Sequence, residues 1–239
     1  MLSARGVTKR YGPLLALDAI DLDVRPGEVF GLLGSNGAGK TTLMKIFATL
    51  LRPDAGSAAV RGLDVLGDPL GVRRLIGFVP ETPALYDKLT GREFLHMIAR
   101  LRGMPDAQAA RGIQELSDLL RMEEELDRET DGLSRGMKQK VALASAMFHR
   151  PPVLILDEPT NGLDPRFARL LKGWLRAYAA AGNTVLLSTH VTQVAEAICD
   201  RIAVVHGGRV AALGTPEDVS HRAGTENLED AFSVIVEAA

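Results

Sequence analysis

Apolar and polar residues alternate with a period of two along Ala16–Val24 (ALDAIDLDV), the pattern of a strand with one face buried and the other in water. Such a strand suits an antiparallel sheet. The next run, Glu28–Leu33 (EVFGLL), is almost continuously apolar, which suits a central strand covered on both faces. A helix is expected from Gly39 to Leu51, stopping before Pro53, because the residue ahead of a proline disfavours helical backbone. GSAAVRGLDV reads as a short strand with turns, and Arg73–Glu81 (RRLIGFVPE) as a strand that ends at Pro80.

The middle of the chain changes period. Two helices are expected between Thr90 and about Arg121, split by RGMPDA, with Thr90 and Glu93 spaced as a capping box. The charge run MEEELDRE reads as a solvated helix end or turn. A further helix spans Ser134–Phe148. Strand character then returns in Val153–Asp157 (VLILD). It is followed by a helix opened by Pro165 and closed by glycine, a strand (TVLLSTH), a helix (VTQVAEAICD), a hairpin through Gly207–Gly208 and a last helix over about Leu228–Glu237. Strand–helix alternation at both ends around a helical insert indicates an α/β class with a helical subdomain.

Composition narrows the function. With 239 residues, 46% hydrophobic, the chain can bury a large core. A net charge of −2 offers no polybasic surface, so no nucleic-acid partner is expected. Cys199 is the one cysteine, which rules out a disulfide within the chain and suits a reducing cytosol. No apolar run approaches the roughly 18 residues of a membrane span, and the N-terminal MLSARGVTKRYGP has no apolar segment of a secretory signal. A soluble intracellular protein is expected, with a membrane partner left open.

The candidate chemistry begins at Gly34–Thr41. Gly34, Gly37, Gly39, Lys40 and Thr41 fit G-x-x-G-x-G-K-S/T between a strand and a helix, the phosphate-binding loop. Its backbone N–H groups, from Ser35, Asn36, Gly37, Ala38 and Gly39 through Thr42, can converge on a phosphate because glycines leave room. The helix start adds partial positive charge. Lys40 supplies a cation for the β- and γ-phosphates, and the Thr41 hydroxyl a ligand for Mg²⁺. VLILDEP delivers Asp157 at the carboxyl end of an apolar strand, where ligands gather in open α/β sheets; Asp157 would share the Mg²⁺ and Glu158 polarise an attacking water. These residues call for a nucleoside triphosphate with Mg²⁺.

Further segments, in order, resemble the ATP-binding cassette ATPases of ABC transporters, in their exporter-like branch. LSRGMKQK (Leu133–Lys140) resembles that family's signature motif, NGLDP (Asn161–Pro165) its D-loop, STH its switch histidine at His190, and GFVPE its Q-loop at Glu81. Tyr11 resembles the aromatic that stacks on adenine. The resemblance covers Met1 to about Pro216. It implies a phosphate-loop NTPase core sheet with an antiparallel β subdomain, 1–80 and 151–215, a helical subdomain with the signature, 82–150, and a short C-terminal helical tail, 216–239. It also implies a head-to-tail pair of ATPase subunits, in which Ser134 and the N–H groups near Gly136 meet the γ-phosphate held by the other subunit. His190 would orient the water and Asp164 couple the two sites. A separate membrane permease, probed around Glu81–Arg100, would make the chain a peripheral subunit on the cytoplasmic face of the cell membrane. The implied cargo is of drug, antibiotic or polysaccharide type. Two departures stand out: Arg135 and Met137 replace glycine and glutamine of the signature, and Glu81 replaces the Q-loop glutamine, as a third candidate for Mg²⁺. A cassette acting on nucleic acid or a macromolecular assembly is the competing class; the zinc cysteines, coiled-coil insertions or second cassette usual there are not in this sequence. His96, His149, His206 and His221 lack ligand spacing, Cys199 and Trp174 read as core, and Lys138 and Lys140 as a solvated face.

Overall fold

The computed structural model describes residues 1–238. Strands β1 (Leu2–Tyr11), β2 (Leu14–Val24) and β3 (Val29–Leu33) lead into helix α1 (Lys40–Phe47). Next come β4 (Ala55–Val60), β5 (Leu63–Asp64), α2 (Pro69–Leu75) and β6 (Ile76–Val79). Four helices follow: α3 (Gly91–Leu101), α4 (Asp106–Leu120), α5 (Glu123–Leu126) and α6 (Arg135–Met147). The chain then alternates through β7 (Val153–Asp157), α7 (Pro165–Ala180), β8 (Thr184–Thr189) and α8 (Thr192–Ile198). It closes with β9 (Arg201–His206), β10 (Arg209–Gly214), α9 (Pro216–Ala223) and α10 (Leu228–Ala238).

Two sheets result. The antiparallel one has the order β2-β1-β4-β5, and the other β10-β9-β3-β8-β7-β6. In the latter every neighbour pair is parallel except β9–β10. The continuous apolar runs now have their reason. In β3, Val29 and Leu33 belong to the core under the helices, while Phe30 and Leu32 belong to the core shared with the antiparallel sheet and α1. In β7, Leu154 and Leu156 take the first side and Val153 and Ile155 the second. Burial on both faces requires apolar side chains at odd and even positions alike. β2, packed on one face, keeps its alternation from Ile20 to Val24, while left-handed Ala19 puts Leu17 out of phase with it.

Several local expectations need correction. The helix after the glycine loop ends at Phe47, not Leu51: Thr49 takes a left-handed φ of 59°, and the Leu50 N–H turns back onto the Lys45 carbonyl. Arg73–Leu75 are helical, because Asp68 caps α2 through the Gly71 N–H and Pro69 opens it; only Ile76–Val79 form the strand. β1 escaped the period-2 reading because its register shifts between Ala4 and Val7, which breaks the alternation of its buried residues Leu2, Ala4 and Val7. The helical tail, expected to hold one helix from about Leu228, opens with another, α9, capped by Thr215 and Asp218 and closed by Gly224 at φ 71°. Glu125, inside the presumed solvated run, is 3% exposed and pairs with Lys140, so Lys140 is not a solvated face either.

Other expectations hold. Thr90 and Glu93 form the capping box of α3. Cys199 is buried against Gly31, where an added Cβ would sit 2.6 Å from its Sγ, and burial pushes the thiol up to about 12. Trp174 stacks on Tyr178 at the edge of the core.

His149 gives a pH test. Its Nε2 lies 3.0 Å from the Ile76 carbonyl, the N–H donating, and burial, followed by the nearby Arg102 charge, lowers its pKa from 6.5 to about 4. A folded-state pKa below the unfolded one means that the unfolded chain takes up the proton first. Stability is therefore expected to fall as pH drops from 6.5 toward about 4, and less steeply in His149→Gln. Urea titrations across that range check this; identical slopes in both proteins would refute it.

Candidate active site

Strand order places the chemistry. β3 and β7 flank β8, all parallel, so their carboxyl ends share one edge, with Leu33 opposite Thr189 and Asp157 opposite Ser188. The glycine loop leaves β3 there, and Gly34 N–H donates to the Thr189 carbonyl at 3.3 Å.

The loop is tightly built. A Cβ on Gly34 would sit 2.4 Å from the Val205 carbonyl oxygen, so only glycine fits the descent from the strand. Gly39 caps α1 with φ 109°, and a Cβ there would lie 2.6 Å from the Ala16 oxygen. Lys40, 6% exposed, donates from Nζ to the Gly34 oxygen at 2.6 Å and the Ser35 oxygen at 3.0 Å. Burial lowers its pKa, opposed by the charges of Glu158, Asp157 and Glu81.

The carboxylates are wired to this loop. Thr41 Oγ1 donates to Asp157 Oδ2 at 2.7 Å. Ser188 Oγ donates to Asp157 Oδ1 and accepts the Glu158 N–H at 2.9 Å. Glu158 has φ 49°, a left-handed backbone that costs a non-glycine residue about 1 kcal/mol and swings its side chain out of the strand's alternation. Its Oε1 lies 2.9 Å from His190 Nδ1. Asp157 and Glu158 are 1% and 5% exposed, so both act where water screens weakly.

A cleft of about 290 Å³ joins Asn36, Gly37, Ala38, Gly39, Lys40, Thr41 and Thr42 with Asp157, Glu158 and Glu81, and Tyr11, 46% exposed, forms its outer wall beside Leu14 and Ala16. Ser35 is exposed at the loop tip, and His190 reaches the cleft through Glu158. Ser134 and Gly136 stand apart from it. Ser134 caps α6, its Oγ accepting the Met137 N–H at 3.3 Å, and a Cβ on Gly136 would lie 3.0 Å from the Gly162 oxygen. Asp164 caps α7 through the Arg166 and Phe167 N–H groups. Sequence reading passed over Ser188, which joins the Asp157 carboxylate to the Glu158 backbone N–H; its only signal was the polar pair Ser188–Thr189 closing an otherwise apolar strand.

A glycine loop opening a buried helix, beside two carboxylates at the ends of neighbouring parallel strands, defines a phosphate-loop nucleotide-binding protein. Residues 17–161 match the family described as ABC transporter. The doxorubicin resistance ATP-binding protein DrrA of Mycobacterium tuberculosis is 40% identical over 97% of this chain and 69% of its own length. The Nod factor export ATP-binding protein I of Ralstonia nicotianae is 36% identical over 96% of this chain and 72% of its own. A solved ATP-binding subunit of an ABC transporter aligns with a TM-score of 0.91 at 34% identity, covering 98% of this chain and 99% of that one. A dimeric post-hydrolysis cassette bound to ADP and Pi aligns with a TM-score of 0.81 at 27% identity, over 90% and 98% of the two chains. This chain belongs to the ABC transporter family, and it is an ATPase with the cassette fold.

Proposed function

We propose that this ATPase binds Mg²⁺ and ATP at the Thr41–Asp157 junction, closes against a second cassette and drives a separate membrane permease of the exporter type. The observation that carries the reading is the chain of hydrogen bonds from Thr41 through Asp157 and Ser188 to Glu158 and His190. It joins the residue types for phosphate binding to those for activating water.

The donor set fits Mg²⁺: a hydroxyl and a carboxylate oxygen 2.7 Å apart, with Glu81 lining the same cleft, are the hard oxygens this ion selects. When bound, the ion neutralises charge on the β- and γ-phosphate oxygens. The protein's own groups do the rest. Backbone N–H groups between Asn36 and Thr42 face the phosphates, that of Ala38 after leaving the Ser35 carbonyl it is bonded to at 3.2 Å, and Lys40 exchanges its two loop carbonyls for phosphate oxygens. Tyr11 offers its ring to adenine. The Glu158 carboxylate accepts a proton from water as the water oxygen bonds to the γ-phosphorus and the bridging P–O bond breaks, giving ADP and phosphate. His190, held by Glu158, orients that water. Ser134 and the N–H groups near Gly136 complete the γ-phosphate site of the facing subunit.

The relatives' names, drug resistance and Nod factor export, support an exported cargo of drug, antibiotic or polysaccharide type. Among the described residues no helix is long and apolar enough to cross a membrane. In this reading the cassette rests on the cytoplasmic face, held by the permease. The docking region around Glu81–Arg100 adjoins, at the end of α3, a cleft of about 970 Å³ lined by Leu70, Arg73, Arg74, Ile98, Leu101 and Arg102. Leu101 is 77% exposed, the most exposed of the large apolar residues there. Leu101→Asp with Arg102→Asp is expected to weaken permease binding at least about thirtyfold, the loss of one interface hot spot. Pull-down of the multi-span protein that co-purifies with the unaltered chain measures it; undiminished capture would remove the docking assignment, and no multi-span protein in the unaltered sample would remove the transport reading.

A further inference from the structure

We infer that Lys140, clamped by Glu125 and Phe167, is a positioning residue that locks the signature helix α6 to α7, so that Ser134 and Asp164 meet the facing subunit as one rigid piece. The inference rests on the dimeric reading above.

Lys140 Nζ has three partners on three segments. It donates to Glu125 Oε1 at 2.8 Å and to the Arg121 carbonyl at 2.9 Å, and it lies 5.2 Å from the centroid of the Phe167 ring. Its side chain is 17% exposed and that of Glu125 4%. An ion pair so far from water adds little net stability, because desolvation offsets the attraction; an apolar pair would hold the core as well. What the charged pair adds is direction: both hydrogen bonds run to the α4–α5 side and hold the ammonium against its contact with α7, the Phe167 ring. Arg121 supplies its carbonyl from a left-handed turn at φ 50°, which ends α4 and aims the oxygen at the lysine.

A second contact lies one and a half turns earlier on α6. Arg135 stands where the family pattern has glycine, and its stem lies along Gly162: a Cβ there would be 3.1 Å from Arg135 Cδ. One contact between α6 and the Asn161–Phe167 segment would leave a hinge. Two contacts, five residues and therefore roughly 7.5 Å apart along the helix axis, fix rotation as well as separation. Ser134, which caps α6, and Asp164, which caps α7, thereby share one frame.

The test uses the purified full chain carrying Glu158→Gln, with ATP-dependent dimerisation read by light scattering, ATP affinity by equilibrium binding and folding by thermal melting. Adding Lys140→Met is expected to raise the ATP concentration needed for dimerisation about tenfold, while affinity at each cassette's own glycine loop changes less than about twofold. Lys140→Arg should restore most of the loss. Phe167→Leu, which keeps the ion pair and an apolar side chain but removes the ring face, should give a smaller shift of the same sign. A role in folding alone would lower melting temperature and affinity together. Dimerisation of the Lys140→Met protein at its parent's ATP concentration overturns the inference, as does failure of arginine to rescue. Should Lys140→Met not fold, normal dimerisation of Phe167→Leu overturns it instead. A Glu158→Gln parent that stays monomeric with ATP overturns the dimeric reading, and this inference with it.

Discussion

Glu158→Gln is expected to slow ATP hydrolysis by about two or more powers of ten, the contribution of a well-placed general base. Glutamine matches the shape of glutamate, and its amide oxygen can still accept from His190 Nδ1, 2.9 Å from the carboxylate in the unaltered protein. The Glu158 N–H bond to Ser188 belongs to the backbone and survives. The left-handed φ of 49° is no harder for glutamine than for glutamate. What disappears is the capacity to take a proton from water. ATP affinity should hold within about twofold or rise, since a buried negative charge near the phosphates is removed. Single-turnover hydrolysis and equilibrium binding separate the two effects. Turnover within about threefold of the unaltered protein would mean that another group is the base.

Lys40→Ala should act on the other side of that division. Lys40 is 6% exposed and satisfied by two loop carbonyls, at 2.6 and 3.0 Å. Alanine removes a charged donor worth about 1.5–3 kcal/mol per bond to phosphate, so ATP affinity should fall by at least about tenfold and by about a hundredfold if two such bonds are lost. The nucleotide-free protein should be affected far less. Burial already lowers the lysine's pKa, so the folded chain carries that ammonium against a desolvation cost. Calorimetric titration with ATP reads the first effect and thermal melting without nucleotide the second. An unchanged binding constant would remove Lys40 from the phosphate site.

How much of this was legible beforehand depended on whether a feature is local. The glycine loop is one contiguous stretch whose conformation its own residues impose, through Gly34 with no room for a Cβ and Gly39 at φ 109°. β7 and β8 announced themselves because burial on both faces demands unbroken apolar runs. β1 did not, because a register shift moved its buried residues out of phase. α2 and α9, of 7 and 8 residues, were too short for a helical period to stand out, and their capping residues, Asp68–Pro69 and Thr215–Pro216, were the available signals. The charge run near Glu125 misled because a carboxylate's burial depends on a partner 15 residues away, Lys140. Ser188 could not be singled out either: its hydroxyl matters only once β7 and β8 lie side by side.

That adjacency has a mechanical consequence. The tip of β8 holds the first glycine of the loop through Thr189 and both acids through Ser188. A displacement of this tip therefore pulls on the nucleotide cradle and the hydrolytic pair together, through the same three hydrogen bonds.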